Sequence, residues 1–289
     1  MSSARILAAV GLGGCLAAGL AGCGGGPAGA GEGRVDVIVS SYPLEYVVEE
    51  VGGEHVAVTN MTPPGGDTHG LEPTAREVAE LGEADLVVHL SGGMQPAVDD
   101  ALSTVEPEHV VDAQSVADRG PDPHFWLDPL RLAELAGQVA DELAEVDPDH
   151  AEQFAAGADE LVATLTAIDQ EYAAGLAPCQ GATLLAAHEA FGYLTDRYGL
   201  VQVGVAGIDP QVEPPPSRLR AAAEAVASSG ARTVFFEQAA GSSVAEVLAR
   251  DLDLETDVLH PIERVVEGET YPELMASNLD ALRRGLVCS

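Results

Sequence analysis

Three histidines stand in the kind of sequence that exposes an imidazole. His69 lies in PPGGDTHGLEP, a Gly/Pro-rich loop directly before a helical pattern; His124 lies in PDPHFWLDP, a second Pro-bounded loop; His188 ends the apolar run ATLLAAH and opens the helical pattern EAFGYLTDRYGL. All three fall at strand-to-helix transitions, where an α/β fold presents side chains to a cleft. Imidazole is a ligand type that suits zinc, and three of them on separate elements make a site only if the fold converges them. Taken singly, each is an ordinary loop or capping histidine. The other five, His55, His89, His109, His150 and His260, lack this context.

Other chemistries find less support. A CxxC or CxxxC pair is absent, so a thiolate metal site is not indicated. Three imidazoles and a water would resemble a hydrolytic zinc centre, but the chain has neither HExxH nor a GxSxG nucleophile elbow, and no enzyme is expected.

The elements that must position these residues alternate. From Val35, VDVIVSS, HVAVTN and ADLVVHL read as strands separated by helices after Pro43 and Pro73. Such alternation argues for parallel strands joined by crossover helices, a first α/β lobe over residues 34–128. Pro129, with Asp128 placed to cap it, starts a helix in which Leu132, Leu135, Val139, Leu143 and Val146 recur at three and four. Asp147-Pro148 repeats the start signal, and Phe154, Ala158, Leu161, Leu165, Ile168 and Tyr172 carry a second helix to about residue 176, roughly 40 Å long. Residues 129–177 therefore read as a rigid helical link. Residues 178–289 read as a second lobe: ATLLAAH, LVQVGVAG, RTVFFEQ and TDVLHP as strands, with helices to Gly199, from Pro216, from Ser242 and from Tyr271. The fold class expected is α/β, two lobes with mainly parallel sheets joined by a long helix, the ligand in the cleft between them. The apolar stripe of the link favours packing on its own protein over a coiled-coil dimer, so a monomer is expected.

Residues 1–22 carry one charge, Arg5, and then an uncharged Ala/Leu/Gly stretch too short for a membrane span, which reads as an export signal. Leu20-Ala21-Gly22-Cys23 resembles the bacterial lipobox, which makes Cys23 the lipidation site and residues 23–33, GGGPAGAGEG after the cysteine, a flexible tether to the outer face of the cytoplasmic membrane. Removal of the signal takes Cys15 with it and leaves Cys179 and Cys288. In an exported protein these are expected to pair, closing a loop of about 110 residues worth roughly 4–5 kcal/mol by chain entropy, rather than remain free thiols. The 47 acidic against 13 basic residues leave a formal charge of −34. That field repels phosphates, so no nucleic-acid partner is expected.

GDTHGLEP, DPHFWLDP and AAHEAFGYLTDRYGL followed by VGVAGIDPQVEPPPSRL resemble the signature segments of the cluster A-I solute-binding proteins, the ZnuA-like zinc and manganese lipoproteins, across essentially the whole mature chain. The resemblance implies capture of Zn2+, one per chain, and its delivery to an ABC importer, a permease with its ATPase subunit. It implies His69, His124 and His188 as ligands and favours Glu263 over Glu237 as the fourth. Relatives often place Asp or Asn where His260 stands, which suggests a role outside the shell. Manganese-importing relatives tend to carry Glu at the third position and Asp at the fourth, so His188 favours zinc over manganese. A His-rich gathering loop is missing: between Ser91 and Pro123 only His109 occurs. Some relatives are described as surface adhesins, the alternative function.

Overall fold

A computed structural model describes residues 33–237, 243–264 and 268–288. The export signal, Cys15, Cys23, Ser242 and all of the tether but Gly33 lie outside the described residues.

Strands β1 (Val35–Val39), β2 (Val56–Asn60), β3 (Leu86–His89) and β4 (Val110–Asp112) form a parallel sheet in the order β2-β1-β3-β4. The two central strands are apolar on both faces, as strands covered by helices on each side must be: Val37, Val39, Leu86, Val87 and Val88 are all buried. Helices α1 (Tyr42–Gly52), α2 (Ala75–Leu81) and α3 (Pro96–Val105) make the crossovers. Neither α3 nor β4 is evident in the sequence. β4 has three residues, and α3 buries only Val98, Ala101 and Leu102. The cap of α2 is Thr74, whose hydroxyl accepts from the Glu77 amide while the Glu77 side chain accepts from the Thr74 amide.

A second parallel sheet repeats that order. Strands β5 (Thr183–Ala186), β6 (Val201–Gly204), β7 (Thr233–Phe236) and β8 (Glu255–Val258) run β6-β5-β7-β8. Around them lie α6 (Gly192–Tyr198), α7 (Pro216–Ser229), α8 (Ser243–Asp251) and α9 (Tyr271–Gly285). The helix after His188 thus begins at Gly192, three residues later than the sequence pattern suggests.

Between the sheets stand α4 (Pro129–Val146), capped by Asp128, and α5 (Ala151–Leu176). Their apolar stripes belong to one buried cluster that runs from Val37 of the first lobe through Leu135 and Leu161 to Phe235 and Leu282 of the second. A shared core resists independent motion of the lobes. Gly157 lets α5 press onto the end of α1: a Cβ there would lie 2.5 Å from the carbonyl oxygen of Val51. Cys179 and Cys288 are joined in a disulfide that fastens the chain beyond α9 to the turn after α5. Among the described residues no helix is long and apolar enough to cross a membrane.

Candidate metal centre

Four loops at strand C-terminal ends meet in the cleft. His69 follows β2 in a loop gripped from below: Gln95 Nε2 donates to the Thr68 carbonyl at 3.1 Å and to the Ser40 carbonyl at 2.9 Å. The His69 amide donates to Asp67 Oδ1 at 2.8 Å, and the other Asp67 oxygen accepts from Gln211 of the second lobe. His124 comes from the turn ahead of α4, His188 from just after β5, and Glu263 from the loop after β8.

Their ligand atoms lie within 4.8 Å of one another. Glu263 Oε1 is 3.5 Å from His69 Nε2, 2.8 Å from His124 Nε2 and 3.6 Å from His188 Nε2. A tetrahedron with zinc–nitrogen and zinc–oxygen bonds of about 2.0–2.1 Å has edges of about 3.3–3.4 Å, inside that range. The residues present therefore fit a four-coordinate cation of zinc's size. His124, His188 and Glu263 are buried, and the His69 side chain is only 8% exposed. The Nε2 atoms of His69 and His188 are buried without a hydrogen-bond partner, a costly state that a ligand would relieve.

The far sides of two rings are held. His124 Nδ1 pairs with Asp122 Oδ1 and His188 Nδ1 with Glu237 Oε1, each at 2.8 Å. Arg264 Nη2 in turn donates to Glu237 Oε2 at 3.2 Å. Glu237 thus stands behind His188, whereas Glu263 faces all three Nε2 atoms. Carboxylates on Nδ1 fix the tautomer and leave each Nε2 as the donor to a cation. Asp122 is itself pinned: Arg119 reaches it, and a Cβ at Gly192 would fall 2.3 Å from its Oδ2. Asp122 and Arg264 escape attention in the sequence, although Asp122 lies two residues before His124 and Arg264 directly after Glu263.

Electrostatics follow from this wiring. Burial alone would lower the His188 pKa, but the Glu237 and Glu263 carboxylates outweigh it and raise it to about 10. Burial likewise opposes protonation of His124, yet Asp122 and Glu263 raise it. Burial would push Glu263 up, but the three imidazoles hold it well below the usual carboxylate range. The carboxylate is ready as an anionic ligand, while His188 carries a proton that a cation must displace, and the His124 shift runs the same way.

His260 is not brought into the group. Its imidazole is half-buried, with a pKa lowered by burial, and its backbone is engaged by Asn278. His109 lies elsewhere, just before β4 and beside Glu142 and Glu145 of α4.

Comparison with known proteins bears on this geometry. The family described as ZnuA, the periplasmic component A of a zinc-uptake complex, matches residues 37–285. The zinc-binding lipoprotein AdcA of Streptococcus pneumoniae serotype 4 is 30% identical over 280 residues, covering 88% of this chain and 56% of the relative. The chain thus spans little more than half the length of the streptococcal AdcA proteins. The high-affinity zinc uptake system protein ZnuA of Bacillus subtilis is 27% identical over 281 residues, covering 88% of both. Among solved structures, Zn(II)-bound AdcA of S. pneumoniae superposes with a TM-score of 0.76 at 30% identity, over 88% of this chain and 58% of that one. The laminin-binding protein Lmb of Streptococcus agalactiae, described as bifunctional with adhesin and metal-transporting activity, gives 0.79 at 28% identity, over 87% and 99%.

Proposed function

Because the chain belongs to the ZnuA family of periplasmic zinc-uptake components, we propose that it captures Zn2+ outside the cytoplasmic membrane and hands it to an ABC importer, with His69, His124, His188 and Glu263 as the four ligands. The observation that carries this reading is the convergence of three Nε2 atoms on one Glu263 oxygen at tetrahedral spacing. Three nitrogens and one oxygen favour zinc over manganese by ligand type. Glu263 occupies the position that a hydrolytic water would need, which supports a carrier rather than an enzyme.

The partners are a membrane permease and, behind it, an ATPase subunit. The protein works as a monomer, held to the outer face of the membrane by lipid on Cys23. The two lobes share one core, so release does not call for wide hinge opening. Small displacements of the His69 loop, the most exposed of the four, are enough to open the shell. Protons assist: each one returned to His124 or His188 competes with the metal.

The test is metal analysis of untagged protein purified from the bacterial envelope, followed by competition between zinc and manganese. One zinc per chain, retained against excess manganese, is the expected result; preferential manganese retention overturns the zinc assignment. The likeness to Lmb supports a second reading, an adhesive outer face, which calls for a direct assay of laminin binding by the zinc-loaded chain.

A further inference from the structure

The carboxylate that closes the tetrahedron sits on backbone that would not keep its shape unaided. Ile262, directly before Glu263, has φ +57°, a left-handed conformation that a β-branched residue rarely adopts. Such a residue persists only where its surroundings over-determine it. Here they do. The His260 amide donates to Asn278 Oδ1 at 2.7 Å, and Asn278 Nδ2 donates to the His260 carbonyl at 2.7 Å, so one side chain pairs with this backbone as a neighbouring strand would. Trp126 Nε1, two residues beyond His124, donates to the Pro261 carbonyl at 2.7 Å.

Asn278 itself is fully buried on the inner face of α9, among Leu274, Met275 and Leu282. Packing alone would be served by an aliphatic side chain there. A buried amide is costly unless its hydrogen bonds are made, and both bonds go to the segment that delivers Glu263. The helix is tethered as well: the Cys179–Cys288 disulfide ties down the chain just past its end.

We propose that Asn278 is a positioning residue for the zinc site: by clamping residue 260 it holds the left-handed turn at Ile262 and presets the Glu263 carboxylate before zinc arrives. The inference rests on the zinc reading of the four-residue site. A preset ligand need not be ordered on binding, which strengthens affinity without adding a contact. It also narrows the choice of metal. A carboxylate held with one oxygen toward three nitrogens completes a four-coordinate shell, whereas a freer one can turn both oxygens to a cation that takes five or six ligands.

The experiment compares the wild type with Asn278→Ala, Glu263→Gln, the double variant and Tyr172→Phe. Zinc and manganese dissociation constants are measured by chelator competition, beside melting temperatures of zinc-free and zinc-loaded protein. Asn278→Ala is expected to weaken zinc by about tenfold, in the range for residues that orient a ligand, and to narrow the zinc-to-manganese preference. Because Asn278 acts through Glu263, adding Asn278→Ala to Glu263→Gln should cost less than about twofold more. Tyr172→Phe, which removes a buried 2.6 Å bond to the Met275 carbonyl of the same helix but none to residues 260–263, should lower the melting temperature and leave the zinc constant unchanged. Should Asn278→Ala fail to fold, Asn278→Asp, which keeps the acceptor and loses the donor, takes its place in the same comparison. An unchanged zinc constant in the folded variant, or a full tenfold loss on top of Glu263→Gln, overturns the inference while leaving the zinc site standing. A wild type that binds no zinc removes both.

Discussion

Two groups of His and carboxylate side chains bring their ligand atoms within 4.8 Å among the described residues: His69, His124, His188 and Glu263 in the cleft, and His109, just before β4, with Glu142 and Glu145 of α4. Residue types hardly separate them. Their surroundings do. His109 Nδ1 and Glu142 Oε1 are 2.8 Å apart, satisfy each other, and belong to side chains 25% and 27% exposed, so water reaches whatever remains. In the cleft, two Nε2 atoms are buried without a hydrogen-bond partner, while carboxylates from behind hold the far nitrogens of His124 and His188. A metal centre is marked by donors left unsatisfied and fixed in direction, not by donors that are merely close.

The sharpest way to break this contrast is to remove one cleft donor. His188→Ala is expected to weaken zinc by more than about 100-fold, since even residues that only orient a ligand are worth 10–100-fold. Chelator competition on protein shown to be folded by circular dichroism reads the loss, and an unaltered constant would take His188 out of the shell.

Next in size is the effect of pH. His188, raised to about 10, is protonated at neutral pH in the absence of metal, and the His124 shift runs in the same direction. Zinc must expel the His188 proton, so its affinity should climb with pH, about tenfold per pH unit between pH 6 and 8. The sign is fixed by the direction of both shifts: acid favours the protonated, metal-free form. Titration calorimetry in buffers of different ionisation enthalpy counts the released protons. A flat profile with no proton released is incompatible with a protonated His188 in the site.

Glu237→Gln sharpens the comparison between the two glutamates. The amide oxygen can still accept from His188 Nδ1, so a loss of about tenfold is expected, the scale of an orienting residue. A loss as large as that of His188→Ala would make Glu237 a ligand instead.

How much of this could be read from the chain alone differs between lobes and link. The stripes from Leu132 to Tyr172 announce the link because every buried position recurs at helical spacing over long stretches. β4 and α3 stay hidden because three strand residues and three buried helical ones fall below what periodicity can register. His69, His124 and His188 stand out through their loops, yet nothing in their spacing shows that they meet, and the family resemblance bridged that gap. The choice between Glu237 and Glu263 was out of reach of local pattern, as both follow a strand. What separates them is a ring flip's worth of geometry: one faces Nδ1 of His188, the other Nε2. Asn278 was invisible for a different reason, because a polar residue on an amphipathic helix reads as solvent-facing until its side chain is found fully buried.

The smallest expected effect falls on the second cluster. His109→Ala removes its only imidazole, and zinc stoichiometry and affinity should both stay at the wild-type value. The His109–Glu142 pair is partly exposed, and pairs of that kind contribute about 0–1 kcal/mol, so the melting temperature should move little. Closeness of donors would make the opposite demand: three ligand atoms within 4.8 Å should then bind zinc in their own right. A second zinc per chain that disappears in His109→Ala would show that proximity suffices without burial, and the distinction between the two clusters would fall.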